Sequence, residues 1–406
     1  MKIIKDSALY ISGELLSKSI PFMLLPYLTR RLGVDGFGEM SYYQTILALI
    51  SIVIGLSQDG AVTRYFYFYG KRSLNLIVTT GYLYTFFITT ILLIYCYLIN
   101  SKTLAIIVLA AMFQSLFNTQ LSIRQCQKLV KQYVLIQIIS ALSTGLLTWL
   151  LLSISIHELV EKRFLALLLG NMFCVFIAYA IYAKGMKVKN RYTAQHYYKA
   201  ALYLFSFGVP LIFHQASGFL KGQLDRLLIY HNFTSSELGI YSAAFQISSI
   251  FSILLMAVNK AGVPYYFEAL KTKKIDFTKI KKICAFSFIV IPIPAIIALV
   301  IPSGLWVLIL GKAFYGVGYY ISLFLLGMGF IIQYLLLVNY LFFYGKNKEI
   351  TICSTFSAIF YCIMLYVFST QGMRYVPYAM ISANIIILPL LLFCGVRIDK
   401  GNRGLK

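Results

Sequence analysis

With 406 residues, 60% of them hydrophobic and 12% charged, and a mean hydropathy of +0.80, the chain is far more apolar than the roughly 45–50% usual in soluble domains. That excludes an ordinary water-soluble fold. The formal net charge of +23 comes from 36 Lys and Arg against 13 Asp and Glu, but these cations sit in short segments between long apolar runs, where they orient helices in a bilayer; their placement argues against nucleic acid as a partner.

A helix needs about 20 apolar residues to cross the hydrocarbon core, and twelve such runs follow one another. The first, 9–28, contains Glu14, Lys18, Pro21 and Pro26 and lacks a small-residue cleavage motif, so a retained span is expected rather than a signal peptide. Glu14 precedes Lys18 by four residues, which places both on one helix face and predicts an ion pair. A charge at the centre of a span costs about 3 kcal/mol even on lenient scales, so this pair is expected to line a watery cavity. Arg30 and Arg31 follow on the expected outer side, against the charge trend, and are candidates for a periplasmic gate. The second run, 40–56, is followed by Arg64; runs at 76–99, 104–122, 133–154 and 164–182 complete a first half, 1–183.

Residues 184–200 are polar and read as a cytoplasmic linker to a second half, 201–406. Its first run, 201–230, carries Pro210 and a stripe of His214, Gln215, Gly218, Lys221, Gly222 and Asp225 at intervals of three and four, with Arg226 adjoining. The stripe is expected to face a lumen, and His214, as an imidazole, is a candidate carrier of a coupled proton. Runs at 240–258, 283–301, 319–344, 350–369 and 376–396 follow. Lys260, like Arg64, stands just past the apolar part of its run, where it either captures substrate or reaches for lipid headgroups. Pro21, Pro26 and Pro210 are candidate hinges, and Pro292 and Pro294 a further bend.

Sidedness follows from the loops. Of the Lys and Arg residues, 26 fall on the side of the N-terminus and 9 on the other, which predicts that both termini are cytoplasmic. The seven cysteines have no CxxC spacing and lie mostly in apolar runs, as packing residues do. No HExxH, GxSxG or Walker A motif occurs, which speaks against an enzyme and against ATP hydrolysis by this chain.

Residues 32–46 (LGVDGFGEMSYYQTI) and 233–247 (FTSSELGIYSAAFQI) align at an offset of 201, matching Gly38 to Gly239, Ser41 to Ser242 and Ile46 to Ile247. Six runs precede the midpoint and six follow, so the expected fold is an all-α polytopic membrane protein with about twelve transmembrane helices, in two parallel-related six-helix halves around a central cavity.

The segment 31–38 (RLGVDGFG) with Gln44, Gly55 and Arg64, then Pro210, Asp225, Arg226 and 237–244 (ELGIYSAA), and finally 311–315 (GKAFY), resemble in order and spacing the Wzx-type polysaccharide flippases of the multidrug/oligosaccharidyl-lipid/polysaccharide exporter superfamily. The resemblance implies a flippase that moves undecaprenyl-pyrophosphate-linked oligosaccharide, such as an O-antigen repeat unit, between leaflets of a bacterial inner membrane by alternating access. It implies the bilayer, a polymerase and chain-length machinery as partners, proton or sodium as coupling ions, and no other cofactor. A multidrug exporter of the same superfamily is the alternative. The excess of Lys18, Arg64, Lys221, Arg226 and Lys260 over Glu14 and Asp225 favours an anionic cargo.

Overall fold

The computed structural model describes residues 2–71, 73–184 and 192–404, and among them the chain is helical with no strand. The first seven helices are α1 (Lys2–Met23), α2 (Leu25–Gly55), α3 (Gln58–Tyr69), α4 (Leu74–Leu98), α5 (Lys102–Cys126), α6 (Val130–Ile154) and α7 (Leu159–Lys184). The remainder are α8 (Ala194–Asn232), α9 (Ser235–Lys271), α10 (Phe277–Val290), α11 (Pro292–Val300), α12 (Ser303–Leu310), α13 (Val317–Gly329), α14 (Ile331–Phe343), α15 (Asn347–Gln371) and α16 (Pro377–Gly404). Every one of the twelve expected runs falls on helix. Eleven stretches are long and apolar enough to cross a membrane among the described residues; the longest, Leu25–Tyr69, joins the end of the first expected run to the second. The protein is a multi-pass α-helical membrane protein.

The contacts divide the chain into two compact units. The first holds residues up to 32 together with 39–219, and the second holds 33–38 with 220–406, so the division falls inside α8, after Phe219. Of the expected linker, residues 185–191 lie outside the described part, and α8 is already helical from Ala194.

In the first unit α7 packs on both α5 and α6, α1 packs on α6, and α5 also meets α3 and α4. Small residues make this possible: Ala110, Ala111, Cys174 and Ala178 are all buried, which lets helix backbones approach closely. Arg124, assigned from sequence to a loop after the fourth run, lies inside α5 and is 2% exposed. Its guanidinium donates to the Gln120 carbonyl at 2.8 Å, the Gln120 side-chain oxygen at 2.9 Å and the Ala178 carbonyl at 2.5 Å. Those three bonds offset its burial and brace α5 against α7.

In the second unit α13 packs between α9 and α11, and α16 packs on α13, α14 and α15. Phe277, Ile280, Leu337, Leu341 and Leu391 form the centre of this core. The capping box between Thr234 and Glu237 starts α9: the Thr234 hydroxyl accepts from the Glu237 backbone N–H while the Glu237 carboxylate accepts from the Thr234 N–H at 3.0 Å.

The helices bend or break at several points. Gly33 sits at φ +71° within α2, a conformation open to glycine and strained for other residues. Leu56 and Ser57, both buried, stand at φ +45° and +49° between α2 and α3, where no glycine relieves the strain. Ile291 separates α10 from α11 just before Pro292, whose ring removes a backbone donor. A further break at Phe330, between α13 and α14, has no proline to announce it.

Residues that align at the offset of 201 also touch one another in the second unit. A side chain at Gly38 would run into the Ser235 carbonyl and the Gly239 backbone, and one at Gly239 would run into the Val34 carbonyl. The Asp35 carboxylate accepts a hydrogen bond from Ser236, again 201 residues away. Residues one repeat length apart thus meet in pairs, and glycine at both copies is what admits the approach.

Candidate functional site

The break at Leu56–Ser57 opens the end of α3 onto a polar cavity of about 170 Å³ within the first unit. Gln58, Asp59, Gln114, Asn118, Thr119 and Gln215 line it together with Ser57. The Gln215 amide donates to the Ser57 hydroxyl at 3.1 Å, and Gln58 donates to the Thr85 hydroxyl at 2.8 Å, so the strained turn is held from two sides. Amides and hydroxyls with one carboxylate make a surface that can bond to water or sugar hydroxyls, and they provide no cation.

The cation lies next door. Asp59 and Asn118 also line a larger cavity of about 620 Å³, whose other walls include Thr63, Arg64, Tyr67, Phe68 and Gln125. Arg64 stacks against three rings, Phe68 at 5.6 Å, Tyr203 at 5.9 Å and Phe207 at 5.6 Å. Aromatic faces hold a guanidinium without neutralising it, and no carboxylate lies within ion-pair distance of Arg64 among the described residues. An arginine of this kind, fixed in place and open to a cavity, is equipped to take a bidentate anion such as a phosphate.

The second unit contains a different arrangement. Asp225 and Arg226 are 4% and 9% exposed and so are buried rather than lining an open lumen, as the sequence stripe had implied. The Asp225 carboxylate accepts from the Tyr241 hydroxyl at 2.5 Å, from the Arg226 backbone N–H at 2.9 Å and from its guanidinium at 3.4 Å. Arg226 also donates to the Gly222 carbonyl at 2.8 Å and lies 4.4 Å from the centre of the Phe245 ring. Asp225 stands one turn after Lys221 on the same face, with Arg226 about 100° further round, and both are buried because Tyr241 and Phe245 of α9 pack over them. Lys221 reaches α15, where its ammonium donates to the Ser357 hydroxyl at 3.0 Å.

The other expected site residues are scattered. Lys18 pairs with Glu14 at 2.8 Å, as their spacing predicted, with Lys18 exposed and Glu14 half-buried. Arg31 donates from Nε to the Leu152 carbonyl at 2.9 Å and from its terminal nitrogen to the Ser155 carbonyl at 2.6 Å, which caps the end of α6. Arg30 and His214 are exposed on α2 and α8. Lys260 is exposed within α9, which continues to Lys271 rather than ending near 258. Of the hinge candidates, Pro26 stands at the first turn of α2, while Pro21 and Pro210 lie inside α1 and α8. Only Arg64 and Gln215 of the expected residues are brought to the two cavities of the first unit. Sequence reading missed Asp59 because the second run was closed at Leu56; the string SQDGAVTR, with a carboxylate five residues before the arginine, was the available signal.

Known proteins place this geometry in context. The family model described as "Polysaccharide biosynthesis protein" matches residues 3–270. Two Haemophilus influenzae proteins are similar along nearly the whole length. Protein 1 of the Lsg locus is 48% identical over 98% of this chain and all of its own, and an uncharacterised membrane protein is 47% identical over 98% of each. Among solved structures, an inward-facing MATE family multidrug resistance transporter of the MOP superfamily superposes with a TM-score of 0.66 at 13% identity, covering 96% of this chain and 99% of its own. A Vibrio cholerae MATE transporter superposes at 0.64 with 12% identity, over 98% and 96%. At such identities the superpositions establish a shared fold.

Proposed function

This chain belongs to the polysaccharide biosynthesis protein family, and from that premise we propose that it is a flippase carrying undecaprenyl-pyrophosphate-linked oligosaccharide, of the O-antigen kind, from the cytoplasmic to the outer leaflet of a bacterial inner membrane by alternating access. The observation that carries this reading is Arg64, stacked on aromatic rings, lacking a carboxylate partner among the described residues and open to a cavity of about 620 Å³. A pyrophosphate with two or more negative charges cannot be taken into hydrocarbon without a compensating cation, and Arg64 supplies one. The residues 1–183 and 201–406 act as the two halves of the cycle, both termini are cytoplasmic, and the polymerase and chain-length machinery receive the product.

Asp59 and Asn118 border both cavities. Asp59 stands five residues before Arg64, about 7.5 Å along the helix axis, and the first sugar of such a lipid is bonded directly to the pyrophosphate. Arg64 then holds the pyrophosphate while the amide-lined cavity accommodates that sugar's hydroxyls.

The test is complementation. In a strain lacking its own flippase and supplied with this chain, Arg64→Ala should reduce surface polysaccharide at least tenfold at equal membrane abundance, and Arg64→Lys should restore part of it, since lysine keeps the charge but loses the bidentate fork. Wild-type polysaccharide from Arg64→Ala would overturn the reading.

A further inference from the structure

Outside the Arg64 region, the second unit holds a basin of about 670 Å³ whose walls are mostly tyrosine: Tyr315, Tyr319, Tyr320, Tyr375 and Tyr378, with Arg374 at one side. Tyrosine is common in the interfacial belt of membrane proteins, where single rings lie among lipid headgroups. Here the rings turn together into one concavity. Tyr319 and Tyr320 meet edge to face at 5.3 Å, Tyr375 and Tyr378 lie 6.3 Å apart, and the Tyr319 hydroxyl donates to the Arg374 carbonyl at 3.2 Å.

The basin is also built from behind. Tyr320 packs its edge on Tyr241 at 6.2 Å, and the Tyr241 hydroxyl is fixed by the buried Asp225 carboxylate at 2.5 Å. Gly316, at φ +87°, ends the turn that brings Tyr315 to the rim. Tyr315 is 72% exposed and Tyr375 46%, so open ring area remains for a ligand.

We propose that this basin binds the oligosaccharide head of the cargo. Pyranose rings present a C–H face that packs on aromatic rings, while their hydroxyls bond to phenols and to a guanidinium; five phenols and one arginine offer both surfaces at once. The volume is about four times that of the 170 Å³ amide cavity, enough for several sugar units. The loops holding Tyr315 and Arg374 lie on the side opposite the Lys- and Arg-rich loops, so the basin stands at the outer end of the second unit, where the head group of a translocated lipid arrives. The glycan chemistry rests on the flippase reading above, while the basin itself is independent of Arg64.

The experiment uses full-length protein in nanodiscs and free, lipid-less oligosaccharides as probes: chitotetraose, maltotetraose and a galactose-containing tetrasaccharide, followed by saturation-transfer NMR and titration. At least one probe should bind wild type, Tyr375→Ala combined with Tyr378→Ala should weaken it by about tenfold or more, equivalent to about 1.4 kcal/mol, and Tyr375→Phe should keep most of the affinity. Binding by none of the probes, or undiminished binding in the double variant at a wild-type melting temperature, overturns the basin. Export unaffected by Arg64→Ala alongside a tyrosine-dependent probe signal overturns the flippase reading and leaves the basin standing.

Discussion

Replacing Tyr241 by Phe isolates one bond of the buried cluster in the second unit. The hydroxyl donates to Asp225 at 2.5 Å, Tyr241 is 1% exposed, and the phenyl ring of the variant fills the same space, so no cavity term enters. A hydrogen bond to a charged group contributes about 1.5–3 kcal/mol, and the carboxylate keeps its bonds to Arg226, so we expect a loss of about 2 kcal/mol. Asp225→Ala should cost more, about 3 kcal/mol, because it leaves the Arg226 guanidinium buried with only the Gly222 carbonyl and the Phe245 ring. A double-mutant cycle between Tyr241→Phe and Asp225→Asn should return a coupling of about 1 kcal/mol or more. The assay is unfolding in mixed micelles titrated with sodium dodecyl sulfate, read by circular dichroism. If Tyr241→Phe falls within about 0.5 kcal/mol of wild type, or exceeds Asp225→Ala, the reasoning that this cluster is a stabilising brace fails.

Two further outcomes follow from contacts. Gly38→Ala and Gly239→Ala should each cost about 1–3 kcal/mol or prevent accumulation, since the added methyl meets backbone rather than a mobile side chain; normal yield and a symmetric size-exclusion peak from both variants would contradict the close approach. Tyr315→Cys, at an exposed position of the α12–α13 turn, should react with a membrane-impermeant maleimide added outside intact spheroplasts, whereas labelling only after permeabilisation would invert the sidedness assigned from loop charge.

The long helices were legible because membrane crossing demands length and apolarity, and both are properties of the residues themselves. The twelve runs therefore landed on helix, and the pairing of Glu14 with Lys18 followed from spacing alone. The breaks were less visible. Gly33 and Pro292 had a local residue to mark them, whereas the glycines before the other two breaks, Gly55 and Gly329, read equally as small packing residues within a span. That omission hid α3, and with it Asp59 as a neighbour of Arg64 along one helix. Burial was also illegible at Asp225 and Arg226: a helical stripe predicts which residues share a face, not whether Tyr241 on another helix will seal that face. The tyrosine basin was out of reach for the same reason, since Tyr315, Tyr320 and Tyr378 come from segments far apart in sequence and read singly as interfacial residues.

The length of α9 has a mechanical side. Its 37 residues span about 55 Å at 1.5 Å each, against a hydrocarbon core of about 30 Å, so the helix, with Pro264 inside it, is roughly 25 Å longer than a perpendicular crossing needs. A rod anchored at its Thr234–Glu237 capping box behaves as a lever: a tilt of about 10° there swings the far end at Lys271 by about 10 Å, the product of that angle and the helix length. A spin or fluorescence label near Lys271 would therefore report small angular changes with several-fold gain, and a protein bound at that end would feel them too.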